Sequence, residues 1–89
     1  MRVARRYVIT GRVQGVGFRY FTEAAAARAG VYGWVRNNPD GSVDAFLEGE
    51  ETAVDAVEAA LRRGPSSSQV DNVAVSEEAP THRSGFSVH

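Results

Sequence analysis

The sequence predicts an α+β domain with the element order β-α-β-β-α-β, in which an antiparallel sheet carries two helices on one face. Segments whose apolar residues alternate at every second position are separated by two segments with helical spacing. A dense turn from Asn37 to Gly41 joins the second and third alternating segments into a hairpin. With 89 residues, of which 43% are apolar, the chain is expected to form a single domain over residues 1–89. The face of the sheet opposite the helices is expected to be wet.

The strands are predicted from apolar residues at every second position and from the turn residues that flank each such segment. In the third strand, for example, Val43, Ala45 and Leu47 share one face, and Gly49 is expected to end the strand. The predicted strands are Arg6 to Val13, Val31 to Asn37, Ser42 to Glu48 and Val70 to Ser76, with a short extended segment from Gly85 to His89.

The helices follow from apolar spacing and from residues that favour helix ends. The first is predicted from Phe18 or Arg19 to Ala29, and Gly30 is suited to stop it. The second is predicted to open at Thr52, which with Asp55 forms a weak variant of a capping box. The residues expected to line its apolar face are Val54, Val57 and Leu61.

Composition excludes several classes of protein. The absence of cysteine excludes a disulfide framework and a thiolate nucleophile. No apolar stretch approaches the length of a signal peptide core or a membrane span, so a cytoplasmic protein without a membrane partner is expected. The net charge of −1 argues against a dedicated nucleic-acid partner. All ten Lys and Arg residues are arginine, and five of them lie in about the first fifth of the chain: Arg2, Arg5, Arg6, Arg12 and Arg19. This distribution fits either a biased genome composition or a local positive field that attracts anions.

The segment before the first helix combines features that favour an anion. Gly15 and Gly17 can adopt positive φ, so that successive backbone N–H groups can face one ligand. The helix that follows has unpaired N–H groups and the positive end of its dipole at this end. Arg19, in its first turn, can pair two phosphate oxygens. These residues alone fit a phosphate site or a plain tight turn, but neither a P-loop nor a dinucleotide fingerprint.

Three segments carry a resemblance to a known family. Gly11 to Arg19, followed by Tyr20-Phe21-Thr22, resembles the phosphate-loop signature of the acylphosphatase family. A second motif of that family appears as Gly33 to Asn37, followed by Asp40 to Val43. Gly85 to Val88 is similar to its closing strand. Because the segments occur at fitting spacing from about Tyr7 to Val88, the chain is identified as a member of this family.

The resemblance implies a ferredoxin-like sandwich and metal-free hydrolysis of the carboxyl–phosphate bond of acyl phosphates, giving a carboxylate and inorganic phosphate. It implies that Arg19 and Asn37 are the catalytic residues, with Asn37 orienting the attacking water. It implies no cofactor, a small acyl phosphate as substrate and inorganic phosphate or sulfate as a product-like ligand; free sheet edges make a monomer the default. The substrate-binding residues that it implies are Gln14, Gly15, Val16, Gly17, Phe18 and Arg19.

Hydrolysis of an acyl phosphate requires few catalytic groups from the protein. A carboxylate with a pKa near 4 leaves without being protonated, so no general acid is needed. Positioning and electrostatics then carry the phosphoryl transfer. An amide such as Asn37 can both donate to and accept from a water, and a phosphate oxygen can take the water's proton. The residues show no metal-ligand spacing, and the two histidines, His82 and His89, lie late in the chain.

Alternatives remain for several residues. Gln14 and Thr22 could touch ligand, although local hydrogen bonding is the favoured interpretation, and Glu23 is expected to be exposed or ion-paired rather than a base. Two other functions stay open: an inactive anion-binding scaffold, and an RNA-binding sheet that uses aromatic residues on its outer face. The aromatic residues in question are Tyr32, Trp34 and Phe46, for which core or edge packing is favoured.

Overall fold

A computed structural model describes residues 1–89 as one mixed five-stranded sheet with two helices. The predicted order of elements is confirmed, and the short C-terminal segment forms a fifth strand. The elements are β1 (Arg2–Arg12), α1 (Phe18–Ala29), β2 (Tyr32–Asn37), β3 (Val43–Glu50), α2 (Glu51–Arg63), β4 (Gln69–Glu78) and β5 (Phe86–Val88).

The sheet has the strand order β4-β1-β3-β2-β5. The pairings of β1 with β3, β1 with β4 and β2 with β3 are antiparallel, as predicted, whereas β5 lies parallel to β2 at the edge. The core fills the space between the central strands and the helices, where Tyr7, Leu47 and Leu61 are fully buried. Because β1 runs directly into the loop before α1, and β2 ends beside that loop, the fold brings both sequence motifs to one end of the sheet.

The first strand is longer than its alternation indicated. It begins at Arg2 because Arg5, which interrupts the apolar pattern, points toward the helices and is buried there. Its guanidinium lies 2.7 Å from Asp55 and 3.2 Å from Glu58 of α2, and 3.1 Å from Glu77 of β4. These long-range ion pairs explain why the strand starts at Arg2, earlier than the alternation of its own apolar residues predicts.

The predicted start of the second helix is wrong. The helix begins at Glu51, immediately after β3, and no side chain caps it. The Glu51 N–H donates instead to the carbonyl of Met1 at 3.0 Å. The Asp55 carboxylate, assigned to the capping box, is bound to Arg5. The strand and the helix therefore join without the intervening residues that a capping box at Thr52 would need.

The expectation of a wet outer face is wrong for the centre of the sheet. Glu48 is 0% exposed there, and its carboxylate accepts hydrogen bonds from the connection between β4 and β5. Burial alone would raise the pKa of Glu48, but hydrogen bonds from Thr81, Arg2 and the His82 backbone lower it to about 2. We call Arg2, Glu48, Thr81 and His82 the Glu48 latch, since together they hold the connection against the sheet.

The outer-face aromatic residues serve packing, as favoured. Phe46 is buried and stacks on Trp34, with ring centroids 6.2 Å apart. The guanidinium of Arg36 lies 5.0 Å from the centroid of Trp34 and also contacts the Asp44 carboxylate. No row of exposed rings that could stack bases results. Neither helix, with 12 and 13 residues, is long and apolar enough to cross a membrane.

Candidate active site

The loop between β1 and α1 is shaped by two glycines in left-handed conformations. Gly15 has φ 73° and Gly17 has φ 79°, a region in which a residue with a side chain is strained. Gly17 immediately precedes α1, and its carbonyl accepts the first helical hydrogen bond from the Phe21 N–H at 3.0 Å. The glycines thus allow the chain to pass from strand to helix within five residues, Val13 to Gly17.

The backbone donors of this loop have no acceptors within the chain. The N–H groups of Gly15, Val16 and Gly17 form no hydrogen bond with any protein atom. The carbonyl of Val16 accepts from the Ser67 hydroxyl at 3.1 Å, so the planar peptide unit turns the Gly17 N–H the opposite way. The first N–H groups of α1 add further unpaired donors at the positive end of its dipole. The loop therefore presents several donors to an anion.

The loop borders a small cavity of about 140 Å³. Larger hollows lie elsewhere, such as one of about 380 Å³ between the helices, but alanine side chains form most of its lining. The small cavity is the one where backbone donors, a guanidinium and an amide meet. Its lining residues are Val13, Gly15, Gly17, Phe18, Arg19, Tyr20 and Asn37.

Among the residues predicted for the site, the cavity brings Gly15, Gly17, Phe18, Arg19 and Asn37 together. The other two predicted residues, Gln14 and Val16, do not line it. Val13 and Tyr20 also line the cavity, although the sequence pattern around them did not indicate a role in the site.

Arg19 lies in the first turn of α1 and forms no ion pair with Asp or Glu. Its Nη1 donates to the backbone oxygen of His89 at 2.6 Å. The His89 N–H in turn donates to the carbonyl of Val35 at 2.9 Å, which fixes that acceptor to the edge of β2. The backbone oxygen of His89 thus orients the guanidinium, which has no Asp or Glu partner.

Asn37 is the last residue of β2, and its side-chain oxygen is buried without a hydrogen-bond partner. Leaving a buried acceptor unpaired costs about 1–3 kcal/mol, so it is a feature that needs an explanation. The turn that follows is well ordered by its own hydrogen bonds: Asp40 accepts from the Ser42 hydroxyl at 2.6 Å and from its N–H at 3.0 Å. The same contacts hold the pKa of Asp40 below its ordinary value.

Gln14 joins the loop to the turn that carries Asn37. Its Nε2 donates to the carbonyl of Asn38 at 2.7 Å and to that of Ser42 at 3.0 Å. The side chain therefore acts as a brace between the two motifs. The favoured interpretation of local bonding is therefore wrong for Gln14, whose acceptors lie 24 and 28 positions away. It holds for Thr22, which is buried and donates to the carbonyl of Phe18 at 2.9 Å.

The chain contains no group of three or more His, Asp or Glu side chains placed to hold a metal ion.

The fold and the cavity define a ferredoxin-like α+β domain with a loop of unpaired donors before its first helix. A family model for acylphosphatases matches residues 5–88. The chain is 50% identical over 76 residues to an acylphosphatase of Koribacter versatilis, covering 85% of this chain and 69% of that one. It is 45% identical over 87 residues to one of Thermococcus kodakarensis, covering 98% and 96%. The crystal structure of a Bacillus subtilis acylphosphatase matches with a TM-score of 0.94 at 36% identity, covering 98% of both chains.

The chain therefore belongs to the acylphosphatase family, and it is a hydrolase that acts on phosphorus-containing acid anhydrides. The resemblance found in the motifs and the ferredoxin-like fold are both confirmed by these comparisons.

Proposed function

We propose that this chain hydrolyses the carboxyl–phosphate bond of small acyl phosphates through Arg19, the loop amides and Asn37, without a metal or a cofactor. The observation that carries the proposal is the meeting of these groups at one small cavity. Arg19 there has no Asp or Glu partner, the loop N–H groups have no acceptors, and the Asn37 oxygen has no donor. One tetrahedral phosphoryl group with an attacking water would satisfy all three.

Arg19 and the loop donors bind the phosphoryl group and stabilise its charge during transfer. The guanidinium pairs with two of the three peripheral oxygens, while the N–H groups of Gly15, Val16 and Gly17 donate to the third and share the other two. Such preorganised donors are worth most where the transition state spreads charge over those oxygens. The contact of Arg19 with the backbone oxygen of His89 supports this role, because it restrains the guanidinium before substrate arrives.

Asn37 holds the water that attacks phosphorus. Its buried oxygen accepts one hydrogen of the water, which directs a lone pair toward the phosphoryl group. The new bond forms between the water oxygen and phosphorus as the bond from phosphorus to the acyl oxygen breaks. The electron pair of the broken bond leaves with the carboxylate, and a phosphate oxygen takes the proton of the water. No protein acid or base is required, because the leaving carboxylate is already a weak base.

The test is the hydrolysis of benzoyl phosphate by the purified chain in the presence of EDTA, with Arg19→Ala beside it. Removing one such donor costs about 3 kcal/mol or more of transition-state stabilisation, so kcat/KM should fall at least about 100-fold. Inhibition by inorganic phosphate should weaken as well. Arg28→Ala is the matched control, since it removes an exposed arginine from the last turn of the same helix.

The two ways in which this test can fail have different meanings. Normal turnover by Arg19→Ala would contradict the phosphate site. Absence of turnover by folded wild type would favour the inactive anion-binding scaffold.

A further inference from the structure

We propose that Tyr20 contacts the acyl group of the substrate and makes the enzyme favour acyl phosphates with an aromatic acyl group over those with a short aliphatic one. This inference rests on the proposed function and adds a specificity-determining residue to its site. Tyr20 lines the cavity at Arg19 yet remains 64% exposed, the highest value among the large apolar side chains apart from Met1.

The cavity leaves little room for more than the phosphoryl group and the water. Its volume is about 140 Å³, smaller than the other hollows of the molecule, which measure about 280 to 420 Å³. Val13 and Phe18 close its apolar side and are buried, so the cavity does not extend into the core. The acyl group of any substrate must therefore lie outside the cavity, at its rim.

The proposed attack fixes the side from which the acyl group leaves. The water is held at the oxygen of Asn37, which is buried. Because attacking and leaving oxygens lie roughly in line through phosphorus, the acyl oxygen points away from that buried end. It therefore points to the exposed rim, where the lining glycines have no side chain and Tyr20 is the only exposed side chain.

The position of Tyr20 on its helix directs its ring toward this rim. It is the third residue of α1, and side chains on a helix lean toward the N-terminal end. A residue in the first turn thus covers the loop before the helix, which is where the phosphoryl group would bind. The ring forms no hydrogen bond and no aromatic pair within the chain, in contrast to Trp34 and Phe18, so internal packing does not account for it.

A tyrosine ring at this place provides an apolar, flat surface with little conformational freedom to lose. An aromatic acyl group can stack on it or meet it edge to face, which is favourable beyond the burial of apolar surface. A methyl group, as in acetyl phosphate, covers little of the ring. The expected result is a preference that depends on the ring of Tyr20 rather than on its hydroxyl.

The experiment compares kcat/KM for benzoyl phosphate and acetyl phosphate in wild type, Tyr20→Ala and Tyr20→Phe. In Tyr20→Ala, the ratio of the two values should fall about fivefold relative to wild type, whereas Tyr20→Phe should keep it. The intrinsic reactivities of the substrates cancel, because each ratio is compared between variants. Val75→Ala serves as the control, since Val75 is an exposed apolar residue on β4 and should not change the ratio.

Each outcome decides the matter. An equal loss on both substrates in Tyr20→Ala would mean that Tyr20 shapes the phosphate site and would overturn the inference, and so would an unchanged ratio. A fall in the ratio accompanied by an unchanged inhibition constant for inorganic phosphate would support a contact with the acyl group alone. If wild type hydrolysed neither substrate, the proposed function would fail first, and that result is seen without any variant.

Discussion

The buried polar atoms at the two ends of β3 differ in whether the chain itself supplies their hydrogen-bond partners. Near its C-terminal end, the Glu48 carboxylate accepts four hydrogen bonds, from Arg2, the Thr81 hydroxyl and the Thr81 and His82 backbone. At its other end, where Val43 pairs with Asn37, the buried Asn37 oxygen accepts none. The chain completes the first network by itself, which makes it structural. The second network has no partner within the chain, which is what the proposed water site at Asn37 requires.

Two arginines repeat the same contrast. Arg5 is buried and lies within 4.0 Å of four carboxylates, and its hydrogen bond to Asp55 raises its pKa above the ordinary value. Arg19 is half-buried, contacts the backbone oxygen of His89 and has no Asp or Glu partner. Arg5 is therefore expected to support folding, and Arg19 is expected to bind an anion. Residue type does not separate the two roles, but the partners of each side chain do.

The largest effect on stability is expected at the Glu48 latch. Glu48→Gln should lower the free energy of unfolding at pH 7 by on the order of 3 kcal/mol, as a pKa lowered from 4.5 to about 2 implies. The amide also places donor hydrogens against the donors of Thr81 and His82. Urea denaturation measures this loss, while kcat/KM per folded molecule should stay near wild type. Glu78→Gln, at an exposed carboxylate of β4 that forms no ion pair, should change stability by less than about 0.5 kcal/mol.

The pH dependence sharpens this prediction. Because the folded-state pKa of Glu48 is lowered, its contribution is fully present above about pH 4.5 and is lost as pH falls toward 2. The slope of unfolding free energy against pH in this window should therefore be smaller in Glu48→Gln than in wild type. Identical slopes would show that Glu48 titrates normally in the folded chain and that the latch contributes little.

A smaller effect, confined to catalysis, is expected at the other end of the strand. Asn37→Ala should lower kcat about 10- to 100-fold, because the attacking water loses its acceptor, and should leave inhibition by inorganic phosphate nearly intact. Its stability should not fall, since the removed oxygen has no partner. Asn72→Ala on β4 is the matched control. A large loss of phosphate affinity in Asn37→Ala would instead mean that this side chain grips the anion.

Local chemistry explains what the sequence predicted correctly. Gly17 and Gly30 flank α1 in left-handed conformations, and the residues Asn37 to Gly41 form the expected hairpin turn. These features need only neighbouring residues. The early part of β1 and the start of α2 were mispredicted because they depend on Arg5 and Met1, whose partners lie about fifty positions away.

In the site, too, features that depend on neighbouring residues could be predicted, and features that depend on the folded structure could not. Arg19 and the loop glycines could be selected because strand, loop and helix follow one another along the chain. Tyr20 could not, since its selection requires the direction of its side chain and the size of the cavity beside it. The predicted fourth strand, Val70 to Ser76, is shorter than the observed β4, Gln69–Glu78, for a related reason. Most side chains of β4 are exposed, so the alternation of apolar residues indicates only the middle of the strand.

The smallest expected effect concerns Gln14, which braces the loop against the turn after Asn37. Gln14→Ala removes the hydrogen bonds to the carbonyls of Asn38 and Ser42 at 2.7 and 3.0 Å, and kcat should fall about fivefold because Asn37 is held less firmly. A double-mutant cycle with Asn37→Ala separates this role from a direct contact with substrate. If Gln14 acts through Asn37, its substitution should have almost no further effect once Asn37 is alanine. Full additivity of the two losses would instead place the Gln14 amide against the phosphoryl group.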